Sequence, residues 1–530
     1  MDQRTHNVLM NDSSHKKWLS AGCAISLALL ISELTAGAHA ASNVLFLVID
    51  DLRPELNCYG SNHIQSPNID AFAKTAMRFD RAYCQQAVCN PSRSSLMTGL
   101  RPETIEVTGN HVHFREALPD VVTLPQHFKN NGYHAQAIGK IYHGFLPEGS
   151  SKTVWDTIGD SPSWSVPATR FGPRYYYTEA GMRDAKEAYI KMYAPSNPGP
   201  MDWTQKLVFG PMTEAPPVND DVLFDGKVAT SAIAALRERA ERPDEPFFLA
   251  VGFIKPHTPF VAPKRYWDLY DASEIELAVD TTLPTDAPRF AGHRSGELRR
   301  YTDQPKSGPF SEENQRHLKH GYYACISYVD AQVGRVLNEL DRLGLRESTI
   351  VVLFSDHGWH LGEHGLWGKT TNYERDARVP LIVRAPGMTS QGRETPALVE
   401  LIDLYPSLSE LAGITIPTYL QGRSFVPLLR DPDLDWKPEV LTQFPRGGNA
   451  DEGGTNMGYS LRTERWRYIE WVKRATGAVI ARELYDEQQD SNETVNLAGD
   501  SEYSKICEDL SARLRTIREN DKLVSKEVQR

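Results

Sequence analysis

Apolar residues gather in a few short, unbroken runs separated by polar loops. Asn43–Ile49, Pro246–Phe253 and Thr349–Phe354 are apolar almost throughout, and Tyr133–Ile138 is a weaker run of the same kind. Runs of this length, bounded by turn residues, predict strands covered on both faces, as in a parallel sheet. From Asn314 to Leu343 the period changes. Tyr322, Ile326, Val329, Val333, Val336, Leu337 and Leu340 recur at helical spacing and predict a long amphipathic helix. A second helix is expected over Leu398–Ala412, broken by the segment from Gly413 to Pro417. Farther on, Tyr459–Thr463, Trp466–Trp471 and Glu483–Tyr485 alternate like antiparallel strands, and Glu502–Ile517 reads as a closing helix. The expected fold is α/β: a main domain over residues 41–412, then a smaller α+β subdomain with an antiparallel sheet over residues 413–530.

The N-terminus reads as a removable leader over residues 1–40. Lys16 and Lys17 precede an apolar run from Ala21 to Ile31, and Ala38-His39-Ala40 is a small-x-small cleavage pattern. The run is too short for a permanent membrane anchor. The chain is therefore expected to be exported, to a periplasm or the extracellular space. Its 530 residues, 40% hydrophobic and 24% charged, are ordinary globular composition. Loss of the leader removes Asp2, Asp12 and Glu33 together with Arg4, Lys16 and Lys17, so the formal charge stays at −11. Such a balance argues against a nucleic-acid partner, and an anionic substrate would have to be captured by a local cluster of cations. Cys58, Cys84, Cys89, Cys325 and Cys507 remain. If Cys89 is consumed chemically, the other four permit up to two disulfides in an oxidising compartment.

Four predicted strands end in chemistry-bearing residues. The first ends in Asp50-Asp51, and the run from Thr349 leads into Ser355-Asp356-His357. Adjacent buried carboxylates repel unless a cation neutralises them, whereas a pair on a solvated loop needs no such partner. Ligands of open α/β sheets collect beyond the carboxyl ends of the strands, so residues some 300 positions apart can meet there. Three carboxylates and one imidazole suit a hard cation with oxygen ligands better than zinc. The other two strand ends carry Lys140 with His143, and Lys255 with His257; Lys369 follows in Gly-Leu-Trp-Gly-Lys-Thr. Each Lys–His pair could cradle an anion and pass a proton, or simply sit on a surface loop.

The most specific stretch is Cys84-Gln-Gln-Ala-Val-Cys-Asn-Pro-Ser-Arg-Ser-Ser-Leu-Met-Thr-Gly-Leu100. Pro91 in a first turn puts Cys89 near a helix N-terminus, where backbone amides favour an anion, and Arg93 adds a planar fork of donors. Taken alone, this describes a half-buried or low-pKa cysteine. Cys89, Pro91, Ser92 and Arg93 with the following Ser94 to Gly99 resemble the sulfatase family, in which a formylglycine-generating enzyme oxidises this cysteine to formylglycine. Asp50-Asp-Leu-Arg-Pro54, Cys58-Tyr-Gly60, Ser66 to Asp70, Gln85 to Cys89, Gly252 to Phe260, Ser355 to Trp359 and Leu361 to Gly365 are similar to its iduronate-2-sulfatase branch. The similarity fades over residues 155–242 and 272–310, which read as loops and insertions.

The resemblance implies a sulfatase-like fold, a large mixed, mostly parallel sheet sandwiched by helices, and a divalent ion, calcium rather than magnesium, held by Asp50, Asp51, modified Cys89, Asp356 and His357. It implies that Lys140, His143, His257 and Lys369 line a sulfate pocket, and that the substrate is a sulfated carbohydrate, including one with a uronic acid. Arg93, Lys140 and Lys369 are expected to stabilise charge, His257 to protonate the leaving oxygen and His143 to accept a proton. Sequence alone does not fix the order of the two histidines. Trp359, His111, His113 and Arg446 are candidate sugar contacts. Two rivals share these features: a phosphomonoester or phosphodiester hydrolase on the same fold, and a non-catalytic glycan-binding protein with Cys89 left as a thiol.

Overall fold

A computed structural model describes residues 42–143, 160–169, 171, 175–193, 209–448 and 454–528. The leader expected over residues 1–40 lies outside the described residues. Asn43–Arg530 form one compact unit.

The main sheet has seven strands: β1 (Asn43–Ile49), β2 (Met77–Tyr83), β3 (His134–Gly139), β4 (Phe247–Phe253), β5 (Thr349–Ser355), β6 (Arg378–Arg384) and β7 (Glu394–Glu400), in the spatial order β7-β2-β6-β5-β1-β4-β3. β1 runs parallel to both β4 and β5, β3 parallel to β4 and β7 parallel to β2, while β6 is antiparallel to β2 and β5. The sheet is mixed and mostly parallel, as expected.

Successive side chains of β1 point to opposite faces, and both faces are dry. Leu45, Leu47 and Ile49 share one core with α2 (Phe224–Ala240) and α3 (Glu312–Arg342) through Val228, Leu236, Tyr322, Ile326 and Val329. Val44, Phe46 and Val48 share the other with α1 (Cys89–Thr98) and α4 (Leu404–Leu411) through Leu96, Met97, Leu404 and Leu408. All seven residues that predicted the long helix are buried. Its start lies slightly ahead of the expected one because the Ser311 side chain accepts the Asn314 N–H, capping the first turn.

The helix expected over Leu398–Ala412 needs correction. Leu398 to Glu400 end β7, and the helix begins only at Leu404. Leu398, Val399 and Glu400 pair with Arg81, Ala82 and Tyr83, so edge pairing takes residues whose spacing also fits a helix. Gly413, at φ 69°, turns the chain away after α4. We propose to keep a subdomain boundary there. Beyond it lies an antiparallel sheet of β8 (Glu439–Arg446), β9 (Asn456–Thr463), β10 (Trp466–Lys473) and β11 (Val479–Asp486), covered by α5 (Ser504–Val528). β8, absent from the sequence reading, is an edge strand that tolerates Pro445 near its end. Among the described residues no helix is long and apolar enough to cross a membrane. The described cysteines are all free thiols, so the disulfides allowed by composition are not formed.

Candidate active site

Sheet register brings the strand ends to one level. Ile49 is opposite both Phe253 and Ser355, and Gly139 is opposite Gly252, so Asp50, Ile254, Asp356 and Lys140 leave the sheet side by side. Asp50 and Asp51 would point to opposite faces if the strand simply continued. Instead Asp51 adopts φ 61°, a left-handed conformation that costs a non-glycine residue about 1–3 kcal/mol. Its peptide is clamped in place. The Asp51 N–H donates to Asp356 Oδ1 (3.2 Å), and the Tyr322 hydroxyl donates to the Asp51 carbonyl (2.8 Å).

Cys89 is the first residue of α1, whose N-terminus has no side-chain cap. Its sulfur lies 3.7 Å from the ammonium groups of both Lys140 and Lys369 and 3.4 Å from His357 Nε2. Each lysine is tied to one aspartate: Lys140 donates to Asp50 Oδ2, and Lys369 to Asp51 Oδ1 (2.8 Å) and Oδ2 (2.9 Å). Burial raises the Cys89 thiol pKa, but Lys140 and Lys369, with hydrogen bonds from His143 and His257, hold it well below the usual value. The side chain is thus held as an anion among cations. The two histidines differ. Burial lowers His143, whereas His257, despite burial, is raised chiefly by Asp51.

Arg93 is wholly buried, and every nitrogen of its fork has a partner. Nε donates to Asp356 Oδ2 (2.7 Å), one terminal nitrogen to Asp50 Oδ1 (2.9 Å), and the other to the carbonyls of Lys140 and Ile141 (2.8 Å each). The side chain expected to stabilise charge orients two carboxylates and the end of β3.

Donor atoms of Asp50, Asp51, Cys89 and His357 lie within 4.8 Å of one another, close enough to surround a single ion. Asp356 falls outside that group, with Oδ2 3.6 Å from His357 Nε2. His357 Nδ1 lies 3.0 Å from the Gly358 carbonyl, which places a proton there, and Nε2 faces Asp51 Oδ1 at 3.2 Å. Burial lowers the imidazole pKa, but Asp356 and Asp51 push it up to about 10, so a bound cation would take the place of the Nε2 proton. Burial pushes Asp51 and Asp356 up, the latter to about 7, although Lys369 and Arg93 oppose it. One more positive charge would offset that cost, and carboxylate oxygens select a hard ion such as calcium or magnesium. The residues present fit such a cation.

Several supporting groups escaped the sequence reading. Asp225 on α2 accepts the N–H groups of Ile254 (2.7 Å) and Lys255 (2.9 Å), fixing the loop that carries His257. Asp376 accepts the Thr371 N–H (2.8 Å) and hydroxyl (2.6 Å) and touches His360 Nδ1 (2.6 Å), fixing the loop after Lys369. Glu297, from the stretch where the resemblance fades, reaches the same opening. A lone acid in a loop or helix carries no spacing signal that would have found these. Trp359 and Arg446, expected at the sugar, are buried instead. The Trp359 ring lies beneath the Lys369 ammonium at 5.1 Å, and Arg446 donates to the carbonyls of Phe290, Ala291 and Thr370. His113 is buried and accepts the Arg115 N–H, while His111 is exposed.

Residues 42–414 match the sulfatase family model, and residues 362–520 match that of the N-sulphoglucosamine sulphohydrolase C-terminal region. Iduronate 2-sulfatase of Mus musculus is 33% identical over 89% of this chain and 94% of its own. The Homo sapiens protein of that name is also 33% identical, over 92% and 96%. A phosphonate monoester hydrolase from Silicibacter pomeroyi superposes with a TM-score of 0.70 at 24% identity, covering 91% of this chain and 96% of its own, a likeness of fold. The chain belongs to the sulfatase family and is a sulfuric ester hydrolase.

Proposed function

We propose that the protein removes O-sulfate from a carbohydrate containing a uronic acid, using a formylglycine made from Cys89 by a partner oxidising enzyme after export to a periplasm or the extracellular space. The observation that carries this reading is the Cys89 sulfur, midway between two lysines and within reach of two aspartates and a histidine. An inert structural cysteine would be surrounded by apolar side chains.

Hydration of the aldehyde gives two geminal hydroxyls. A divalent cation held by Asp50, Asp51, the modified residue and His357, with Asp356 beside them, would supply positive charge to the nucleophile and the sulfate oxygens. Lys140 and Lys369 hold the sulfuryl group from either side. One hydroxyl, having given up its proton to solvent, attacks sulfur while the bond from sulfur to the sugar oxygen breaks, and His257 donates a proton to that oxygen. Its raised pKa, set by Asp51 against the effect of burial, suits an acid. His143, kept neutral by burial, then takes the proton from the second hydroxyl. The aldehyde re-forms and sulfate leaves without water attacking sulfur. A serine in this position would stall as its sulfate ester.

The test pairs intact mass with turnover. Protein made alongside a formylglycine-generating enzyme should lose one sulfur and two hydrogens and gain one oxygen at Cys89, and should hydrolyse aryl sulfate faster than aryl phosphate. Retention of the thiol in protein from its own host, or phosphate turnover above sulfate turnover in fully oxidised protein, would overturn the reading.

A further inference from the structure

Glu297 has no part in the reaction as derived above, yet its carboxylate stands at the opening of the site. Oε1 lies 3.9 Å from His257 Nε2 and Oε2 lies 3.8 Å from Lys369 Nζ. With Asp51 and His257 it completes a second group of donor atoms within 4.8 Å of one another. Lys369, which also holds Asp51 at 2.8 Å, already supplies positive charge to that group. The side chain of Glu297 is 31% exposed, against 14% for His257, 4% for Lys369 and none for Asp51. It is the member of this group that incoming substrate meets first.

Its position is built. The Thr258 hydroxyl donates to Oε1 at 3.0 Å, tying the carboxylate to the residue after His257. Two residues before Glu297, the Ser295 hydroxyl accepts the Trp367 N–H at 3.0 Å, tying the same loop to the segment that carries Lys369. The carboxylate therefore keeps station between the proton donor for the leaving oxygen and one of the two lysines that hold the sulfuryl group.

We propose that Glu297 is a substrate-positioning residue, whose carboxylate accepts a hydrogen bond from the hydroxyl on the carbon next to the sulfated one and disfavours a second sulfate there. This rests on the sulfate-ester reading above. His257 Nε2 must face the oxygen that leaves, and on a sugar ring the neighbouring oxygen lies about one hydrogen bond's length away. A group close to His257 Nε2, but nearer solvent, is where that neighbour falls. A hydroxyl there donates to a carboxylate in a charge-assisted hydrogen bond. A sulfate there would meet a fixed like charge.

The experiment uses fully oxidised protein and three substrates: an aryl sulfate with no hydroxyl beside the ester, a monosulfated sugar with a free neighbouring hydroxyl, and the same sugar sulfated at both positions. Glu297→Ala should raise KM for the monosulfated sugar, and its loss in kcat/KM should exceed that for the aryl sulfate by about 10-fold or more. Glu297→Gln should raise turnover of the disulfated sugar relative to the monosulfated one by a similar factor, a gain that damage to the fold cannot produce. Equal losses on aryl and sugar sulfates in Glu297→Ala, or an unchanged disulfated-to-monosulfated ratio in Glu297→Gln, would overturn the assignment. Failure of the wild-type protein to hydrolyse any of the three would overturn the sulfate-ester reading itself and this proposal with it.

Discussion

Arg93 and Asp356 are joined through Nε and Oδ2 at 2.7 Å, both side chains wholly buried. The same guanidinium holds Asp50, so one cation sets the spacing of two carboxylates that reach the site from different strands. Lysine has no planar fork and cannot make these bonds together. Arg93→Lys should weaken calcium binding by about 10–100-fold, as loss of a group orienting metal ligands does. Arg93→Met, which leaves buried carboxylates unpaired, should destabilise the fold by about 3–5 kcal/mol. Calorimetric titration with calcium and urea unfolding read the two effects separately. Unchanged calcium affinity in Arg93→Lys would show that the arginine does not orient the metal ligands.

Gly252 approaches the chain of Lys140 more closely than any side chain could. A Cβ on it would stand 1.9 Å from the Lys140 carbonyl oxygen, and one on Gly139 would stand 2.1 Å from the Gly252 carbonyl oxygen. β3 and β4 converge here because neither residue has a side chain, and that convergence brings Lys140 to Cys89. Gly252→Ala should cost about 1–3 kcal/mol of stability through overpacking and should lower kcat/KM by displacing Lys140. A thermal melt with steady-state kinetics tests it. Full activity in a stable Gly252→Ala protein would show that the close approach is not needed.

Much of this site was legible because strand ends are. Asn43–Ile49 forms β1 over those same residues, and β4 and β5 fall within a residue of the expected bounds, so Asp50, Asp51, Asp356, His357 and His257 had to emerge near one another. Side-chain direction was not legible. Arg93 turns inward because two carboxylates behind α1 offer it partners, and Trp359 is buried because Lys369 and Phe260 cover it. Glu297, Asp225 and Asp376 were missed for another reason. Each acts by what folding brings against it, and a single carboxylate in a loop or helix has no period to betray it.

The pH dependence of stability should show a second ion-pair network, built around Glu400. Glu400 is held by Arg101 (2.7 and 3.1 Å) and Lys437 (3.0 Å). Burial would raise its pKa, but Arg101 and Lys437 bring it to about 2, below the ordinary 4.5. Between these values the unfolded chain binds more protons, so the contribution of Glu400 is complete above about pH 4.5 and is lost as pH falls toward about 2. Asp403 beside it is raised, mainly by burial, and works in the opposite direction, stabilising at low pH and less so as pH rises. Glu400→Gln should therefore flatten the acid limb of the wild-type curve in that window. Urea midpoints measured against pH for both proteins decide it, and parallel limbs would exclude the pair as a source of acid lability.

Binding of a cation to the folded chain alone must raise its stability by mass action, by about 2.7 kcal/mol at a free concentration one hundred times Kd. With Asp50, Asp51 and His357 as donors, calcium should raise the melting temperature of chelator-treated protein more than magnesium does, because donors converging from separate strand ends need not meet the near-ideal octahedral geometry that magnesium demands. Asp51→Asn separates this from a general salt effect. It removes a donor and leaves Lys369 without its nearest carboxylate, so the increment given by calcium should shrink sharply while that given by equivalent sodium chloride stays the same. Asp225→Asn, which loosens the His257 loop without touching the acid group, should keep the full calcium increment and lose activity instead. If calcium stabilised the wild type and Asp51→Asn equally, the four-residue group would not be the binding site.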